Sequence, residues 1–180
     1  DHASGTDRLA EVVRQRGWAE DSVVVNVQGD EPLMPIANIK QVARELIEHP
    51  EASIATLSEL LASAEQLDDP SVVKVVASMS GNALYFSRAA IPFQRDQTEK
   101  SSSLLLAAAR RHIGLYAYRA AFLQAFAAWP PSVMETLESL EQLRALDQGH
   151  IIRICEASEP VPAGVDTPED LERARGLLVG

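Results

Sequence analysis

Apolar residues along the chain recur at two different spacings, and the changes between them predict where helices and strands lie. Spacings of three and four residues predict helices over residues 4–16, 35–47, 62–67, 120–129, 133–146 and from Pro168 onward. Runs of β-branched and aromatic residues predict strands over residues 23–27, 53–57, 72–77, 83–86, 112–119 and 151–156. Because β and α segments mix throughout, we expect an α/β fold with a mainly parallel sheet and helices on both faces.

Two segments depart from this arrangement. The turn Met79-Ser80-Gly81-Asn82 separates two short strands and predicts a β-hairpin. Residues 92–103 are polar and irregular, and we expect them to form a mobile loop. The apolar stretch that follows, residues 104–109, is equally compatible with a helix and with disordered chain.

The chain opens at Asp1 and runs into a helix with no strand before it. A doubly wound domain ordinarily begins with a strand and a phosphate-binding turn. We therefore expect residues 1–180 to be a single domain that lacks its first strand and its phosphate-binding loop.

Composition narrows the functional class. The 180 residues are 46% hydrophobic and 23% charged, as in globular proteins, and no apolar run reaches the ~20 residues that span a bilayer. The formal net charge of −10 argues against a nucleic-acid-binding surface, although it allows a local nucleotide pocket. Cys155 is the single cysteine, which excludes an intrachain disulfide and favours a reducing cytoplasm over a membrane or secreted location.

Carboxylates follow two of the predicted strands. Asp30 lies in the sequence Gln-Gly-Asp-Glu-Pro after the valine-rich strand over residues 23–27, and a charge after a buried strand needs a partner. Asp166 follows a Gly-Val pair, although local sequence alone favours helix capping over metal binding for it. If the strands share a sheet, both side chains meet at its carboxyl edge, where Mg²⁺ accepts one or two carboxylates.

Other polar residues have two interpretations each. His112 and Tyr116 share one face of a strand and either line a pocket or belong to the core. Arg88 and Arg95 flank the polar loop and either hold an anion or lie on the surface. An acidic row at helical spacing is typical of a solvated helix face, namely Glu135, Glu138, Glu141 and Gln142.

Six segments, taken in chain order, closely resemble the 3-deoxy-manno-octulosonate cytidylyltransferases, also called CMP-Kdo synthetases. They are DHASGTDRLAEV, VNVQGDEPLMP, VVKVV with ALYFSRAAIPFQRD, RHIGLYAYR, LESLEQLRAL and GVDTPEDLERAR. Sialic-acid cytidylyltransferases are similar in fold, but they match the YFSR and EQLR segments less well. The resemblance covers nearly the whole chain, and six ordered motifs are far more specific than any one of them.

The resemblance implies an enzyme that joins CMP from CTP to the eight-carbon sugar acid Kdo, releasing pyrophosphate for lipopolysaccharide biosynthesis. By matching position, Asp30 and Asp166 would hold Mg²⁺ and serve catalysis, and Ser4 and Thr6 would lie by the cytidine. The sugar-acid pocket would be lined by Gln28, Arg88, Arg95, His112, Tyr116, Glu141 and Gln142. Family members are commonly homodimers, and the apolar helix AAFLQAFAAW either forms the interface or packs into its own core.

One family element has no counterpart here, namely the basic, glycine-containing loop that grips the CTP phosphates. We therefore expect activity from the complete protein rather than from residues 1–180 alone. Two alternatives stay open: a related sugar-acid nucleotidyltransferase of the sialic-acid type, and a noncatalytic remnant of such an enzyme.

Overall fold

A computed structural model describes residues 5–95, 105, 108–165 and 167–178 of the chain. Within them the helices are α1 (Gly5–Arg16), α2 (Ile36–Glu48), α3 (Ala64–Asp68), α4 (Ala120–Phe126), α5 (Val133–Glu138), α6 (Gln142–Asp147) and α7 (Pro168–Leu178). The strands are β1 (Val23–Asn26), β2 (Ile54–Leu60), β3 (Lys74–Ala77), β4 (Ala83–Ser87), β5 (Arg110–Arg119) and β6 (Ile152–Glu156). None of the helices in these ranges is long and apolar enough to cross a membrane.

The α/β class is confirmed, but the expected mainly parallel pairing is wrong. The sheet has the order β4-β3-β5-β2-β6, and β1 also pairs with β5. Of the strand pairs described, β2 with β6 is parallel and the others are antiparallel. The reason is that the long strand β5 pairs with β2 along one edge and with β1 and β3 along the other. It is antiparallel to all three. Alternating residues predict a strand but not its direction, which tertiary packing decides.

Both faces of the sheet are covered, and this separates the core into two main clusters. On one face, side chains of β5 such as Tyr116 and Tyr118 pack against α1, α4 and α6. On the other face, Ile113, Leu115 and Ala117 of the same strand pack against α2. Because side chains alternate along β5, Tyr116 and Tyr118 lie on the face that α1 and α6 cover.

The predicted helix over residues 133–146 is wrong, because two short helices, α5 and α6, occupy this range. Ser139 adopts a left-handed conformation with φ of 52° and ends α5. A capping box between Ser132 and Glu135 begins α5, so the local sequence fixes its start clearly. The break places Gln142 at the first turn of a new helix, with Glu141 directly before it.

Other predictions are confirmed or fall outside the described residues. The hairpin of β3 and β4 is confirmed, and Thr167 caps α7 by accepting a hydrogen bond from the backbone N–H of Asp170. The apolar helix α4 buries Phe122, Leu123 and Phe126 in the core, so the alternative that it packs into its own core is confirmed. Most of the loop over residues 92–103 lies beyond residue 95, outside the described ranges.

Candidate active site

A small cavity on the face of the sheet that α1 and α6 cover brings together residues from distant parts of the chain. Five residues singled out from the sequence line it, with Asn26 and Tyr118 as further polar members. They come from α1, the end of β1, β5 and α6, and they are Thr6, Gln28, Tyr116, Glu141 and Gln142. Gln28, Tyr116, Glu141 and Gln142 were expected to share the sugar-acid pocket, whereas Thr6 was expected by the cytidine, and the structure places all five around one cavity.

Two polar atoms in this cavity lack partners among the described residues. Oε1 of Glu141 and Nε2 of Gln142 are buried and make no hydrogen bond there. A buried polar atom that leaves its hydrogen bond unmade is costly, so such atoms point to a ligand or a bound water. One is an acceptor and the other a donor, which suits a ligand rich in hydroxyl groups.

The acidic row predicted to be a solvated helix face is instead divided among three structural roles. Glu135 caps α5 and forms a buried ion pair with Arg144, at 2.5 Å between Oε1 and an arginine nitrogen. Glu138 accepts hydrogen bonds from Ser87 at 2.6 Å and from the Arg88 backbone at 2.9 Å. The helix break at Ser139 turns Glu141 and Gln142 toward the cavity, and that break carried no clear sequence signal.

His112 lies on the same face as Tyr116, as predicted, with 5.3 Å between the ring centroids. Its Nε2 is 3.0 Å from Oγ1 of Thr56, whose single proton has the carbonyl oxygens of Ile113 and Leu115 as acceptors. Since Thr56 donates to a carbonyl, we assign the proton of His112 to Nε2, which leaves Nδ1 as an acceptor. Burial, together with a smaller contribution from the neighbouring Arg111 charge, lowers the pKa of His112 to about 3. The imidazole is therefore neutral at physiological pH.

The two tyrosines beside His112 stay protonated. Tyr116 and Tyr118 stack with their ring centroids 5.6 Å apart, and both are buried. Burial raises the pKa of each hydroxyl above its ordinary value, and the nearby Glu141 carboxylate adds to the rise. Both phenols are thus hydrogen-bond donors at neutral pH.

A second, larger cleft of about 390 Å³ holds Asp30 and His112. Gln28, which lines the smaller cavity, lies next to this cleft. Its Cγ is 3.9 Å from the position that a Cβ would take on Gly114, a residue of the cleft wall. Arg111 lines the same cleft but is paired with Glu59 at 2.6 Å. The two cavities are therefore neighbours.

The structure corrects one premise about Asp30, since its side chain is exposed rather than buried. Burial therefore gives no reason for a charged partner there. The backbone carbonyl of Asp30 accepts a hydrogen bond of 2.8 Å from the backbone N–H of Val165. A Cβ on Gly164 would lie 3.1 Å from the same carbonyl oxygen, so the two loops are in close contact.

Two of the predicted site residues lie outside the described ranges, namely Ser4 and Asp166. Arg95 is exposed at the end of a described segment, apart from both cavities. The assignments of these three residues therefore stay predictions.

Arg88 is held in place by a network of hydrogen bonds. Its guanidinium donates to the carbonyl oxygens of Glu138 at 2.8 Å and Pro70 at 2.9 Å. Its own carbonyl accepts a 2.6 Å hydrogen bond from Lys74, which is fully buried and whose pKa is lowered by that burial. In the structure Arg88 joins the hairpin to α5, and its role toward a ligand stays a prediction.

Sequence reasoning missed several residues that shape the site. Tyr118 continues the two-residue alternation of His112 and Tyr116, so the pattern of the strand contained a signal for it. The sequence contained no signal for Thr56 or Lys74, because their side chains donate to backbone carbonyls that only folding brings near them. Their roles depend on contacts between strands.

The α/β sheet and its polar cavity are those of a nucleotidyltransferase, as comparison with known proteins shows. Residues 1–154 match the family model of the cytidylyltransferases. The chain belongs to the cytidylyltransferase family.

The relatives found have more specific names. A "3-deoxy-manno-octulosonate cytidylyltransferase" of Stenotrophomonas maltophilia is 55% identical over 98% of this chain and 69% of its own length. The protein of the same name in Pseudomonas syringae pv. tomato is 56% identical over 99% of this chain and 71% of its own. The resemblance seen in the sequence motifs is thereby confirmed.

Solved structures agree with these relatives. CMP:2-keto-3-deoxy-manno-octonic acid synthetase, solved in complex with CTP, has a TM-score of 0.86 and 39% identity. That match covers 99% of this chain and 69% of the other chain. A 4-diphosphocytidyl-2C-methyl-D-erythritol synthase, 13% identical with a TM-score of 0.52 over 96% of this chain and 63% of its own, shares the fold alone.

Proposed function

We propose that this chain carries the CMP-transfer site of a 3-deoxy-manno-octulosonate cytidylyltransferase. The enzyme joins CMP from CTP to the anomeric hydroxyl of Kdo and releases pyrophosphate, which activates Kdo for lipopolysaccharide biosynthesis. The observation that carries this proposal is that relatives about 55% identical over nearly the whole chain have this name.

The small cavity supports a sugar acid as one substrate. Glu141 supplies an unsatisfied acceptor and Gln142 an unsatisfied donor, which match the hydroxyls of a polyol. The neutral His112 and the protonated Tyr116 add hydrogen-bonding groups without a fixed charge. We propose that Gln28, Arg88 and Arg95 complete this pocket, with an arginine facing the sugar carboxylate.

The reaction is a displacement at phosphorus. The anomeric oxygen of Kdo forms a bond to the α-phosphorus of CTP, the bond to the β-phosphate oxygen breaks, and the hydroxyl proton is lost. The protein contributes mostly by positioning the two substrates in line. The resemblance implies that Ser4 and Thr6 lie by the cytidine, and we propose that role for Ser4.

We propose that Asp30 and Asp166 hold a Mg²⁺ ion. Asp30 fits this role because its exposed carboxylate lines the larger cleft. Val165, which binds the Asp30 carbonyl, is the residue directly before Asp166 in the chain. No cluster of three metal-ligating side chains occurs among the described residues, but Mg²⁺ needs only one or two carboxylates beside water and phosphate oxygens. When bound, the ion would neutralise charge on the phosphates.

Pyrophosphate release from CTP and Kdo by the full-length protein in the presence of Mg²⁺ tests the proposal. We expect release with Kdo and at least about tenfold lower kcat/KM with sialic acid, because a pocket built to hydrogen-bond one substrate rejects another. Asp30→Asn is expected to lower kcat by about a hundredfold, whereas Asp21→Asn, an exposed aspartate outside both cavities, retains activity.

Each alternative has its own signature in this assay. Faster release with sialic acid than with Kdo would favour a related nucleotidyltransferase. No release with either sugar acid would favour a noncatalytic remnant and would defeat the proposal.

We also propose that the protein is a cytoplasmic homodimer. The support for a dimer is that β4 is an outer strand of the sheet and carries the exposed Leu84, and outer strands are common sites of association. The support for the cytoplasm is the single cysteine. Light scattering that gives the monomer mass, or fractionation that finds the protein outside the cytoplasm, would contradict these two points.

A further inference from the structure

Thr6 has its hydroxyl directed into the protein rather than toward an open site. Its side chain is 2% exposed, and Oγ1 donates a hydrogen bond of 2.8 Å to Oε2 of Glu141. The two residues are 135 positions apart in the chain, so this bond joins the start of α1 to the start of α6. A hydroxyl has one proton to donate, and here Glu141 receives it.

The consequence for Glu141 is that its two carboxylate oxygens differ. Oε2 is satisfied by Thr6, whereas Oε1 is buried with no partner among the described residues. A side chain fixed through one oxygen offers the other in a defined direction, because the hydrogen bond restricts rotation about the terminal torsion. The unpartnered Nε2 of neighbouring Gln142 gives the same region a donor.

Tyr118 lies beside this pair, and its hydroxyl is hydrogen-bonded to the Thr6 side chain. It is buried, lines the cavity together with Thr6 and Glu141, and keeps its proton because burial raises the pKa of its hydroxyl. Gly5 is also part of the cavity wall, where a Cβ would approach the side chain of Asn26. Thr6 therefore stands among groups that restrict the space available to Glu141.

We propose that Thr6 is a positioning residue that holds the Glu141 carboxylate, so that its remaining oxygen accepts a hydrogen bond from a hydroxyl of the sugar acid. This inference rests on the proposed function and gives Thr6 a specific role in the proposed site. It assigns the Thr6 hydroxyl to the sugar-acid side of the site, through Glu141, rather than to the nucleotide. The start of α1 then affects recognition of the acceptor substrate.

The test is steady-state kinetics of pyrophosphate release by the full-length protein, with each substrate varied in turn. Thr6→Val keeps the shape of the side chain and removes the hydroxyl, whereas Thr6→Ser keeps the hydroxyl. We expect Thr6→Val to raise the KM for Kdo by about tenfold or more and to leave the KM for CTP within about twofold. Thr6→Ser should recover most of the loss. Thr136→Val, which removes a hydroxyl from an exposed position on α5, is the matched control.

A double-mutant cycle shows whether Thr6 acts through Glu141. With Glu141→Gln as the second change, we expect Thr6→Val to add little further loss, because the two residues act as one unit. If Thr6→Val does not fold, Thr6→Ala enters the same cycle. Fully additive losses, or a rise in the KM for CTP in place of that for Kdo, would overturn the inference. An inactive wild-type protein would instead defeat the proposed function, so the two failures are distinguishable.

Discussion

At the scale of single residues, the strand β5 shows how packing sets the chemistry of His112. Phe86 meets its ring edge-on with 5.0 Å between centroids, Tyr116 covers another side, and Thr56 contacts Nε2. These neighbours displace water without supplying a negative charge, so the charged imidazolium is disfavoured. A neutral ring with a free acceptor at Nδ1 can hold a substrate hydroxyl at any pH where the enzyme works.

This environment predicts a pH dependence of stability. The folded-state pKa of His112 is about 3, below the ordinary value of 6.5, so between these values the unfolded chain binds more protons. The stability contribution of His112 is present above pH 6.5 and is lost as the pH falls toward 3, by about 1.4 kcal/mol for each pH unit. We expect urea unfolding to show this slope in the wild type and a shallower slope in His112→Gln.

A control for that measurement is His49→Gln, because His49 is partly exposed and lines neither cavity. That variant is expected to retain the part of the slope that His112 contributes. Equal slopes for the wild type and His112→Gln between pH 6.5 and 5 would contradict the assignment of a buried neutral imidazole.

At the scale of secondary-structure elements, the break between α5 and α6 matters most for the site. Ser139 has a left-handed backbone, and Leu140 donates its N–H back to the carbonyl of Glu135. This is the geometry of a helix end in which glycine is preferred, because a Cβ disfavours positive φ. Without the break, Glu141 would continue the face that holds Glu138 and Ser87 together, away from the cavity.

The sign of a stability change at Ser139 distinguishes the break from a continuous helix. We expect Ser139→Gly to stabilise the protein by about 0.5–1 kcal/mol and Ser139→Ala to destabilise it slightly, because only glycine adopts a left-handed backbone at no cost. In a continuous helix both signs would reverse. Chemical denaturation of the two variants beside the wild type measures this, and a more stable alanine variant would contradict the structure.

The elements themselves were largely predictable because their signals are local. The capping box at Ser132, the proline before α2 and the threonine cap of α7 each act within one helical turn. The predicted helix ran past the end of α5 because a left-handed helix end is usually marked by glycine. Serine at position 139 gave no such signal. Strand direction also failed, because β5 takes its direction from neighbours on both sides and not from its own residues.

At the scale of the whole molecule, the site is assembled from contacts between segments that are distant in the sequence. The hydrogen bond between Thr6 and Glu141, and that between Val165 and Asp30, each join segments more than a hundred residues apart. The resemblance in the motifs located most of these residues before the structure was known. It did not show how they support one another, because that depends on the packing of α1 and α6 against β5.

The two cavities carry different groups, and each therefore fits a different part of the proposed reaction. The smaller cavity holds the polar groups suited to a sugar acid, and the larger cleft holds the exposed carboxylate of Asp30. Gln28 lies between them beside Gly114. In the proposed reaction the bond to phosphorus therefore forms where the two cavities meet.

The central claim is that Asp30 and Asp166 share one cation beside the sugar-acid pocket. A crystal structure of the full-length protein with CTP, a Kdo analogue and Mg²⁺ tests it most directly. We predict one Mg²⁺ with an oxygen of each aspartate at about 2.1 Å, and the sugar acid in contact with Glu141 and Gln142. Aspartates too far apart to share an ion, or a sugar acid bound elsewhere, would contradict it.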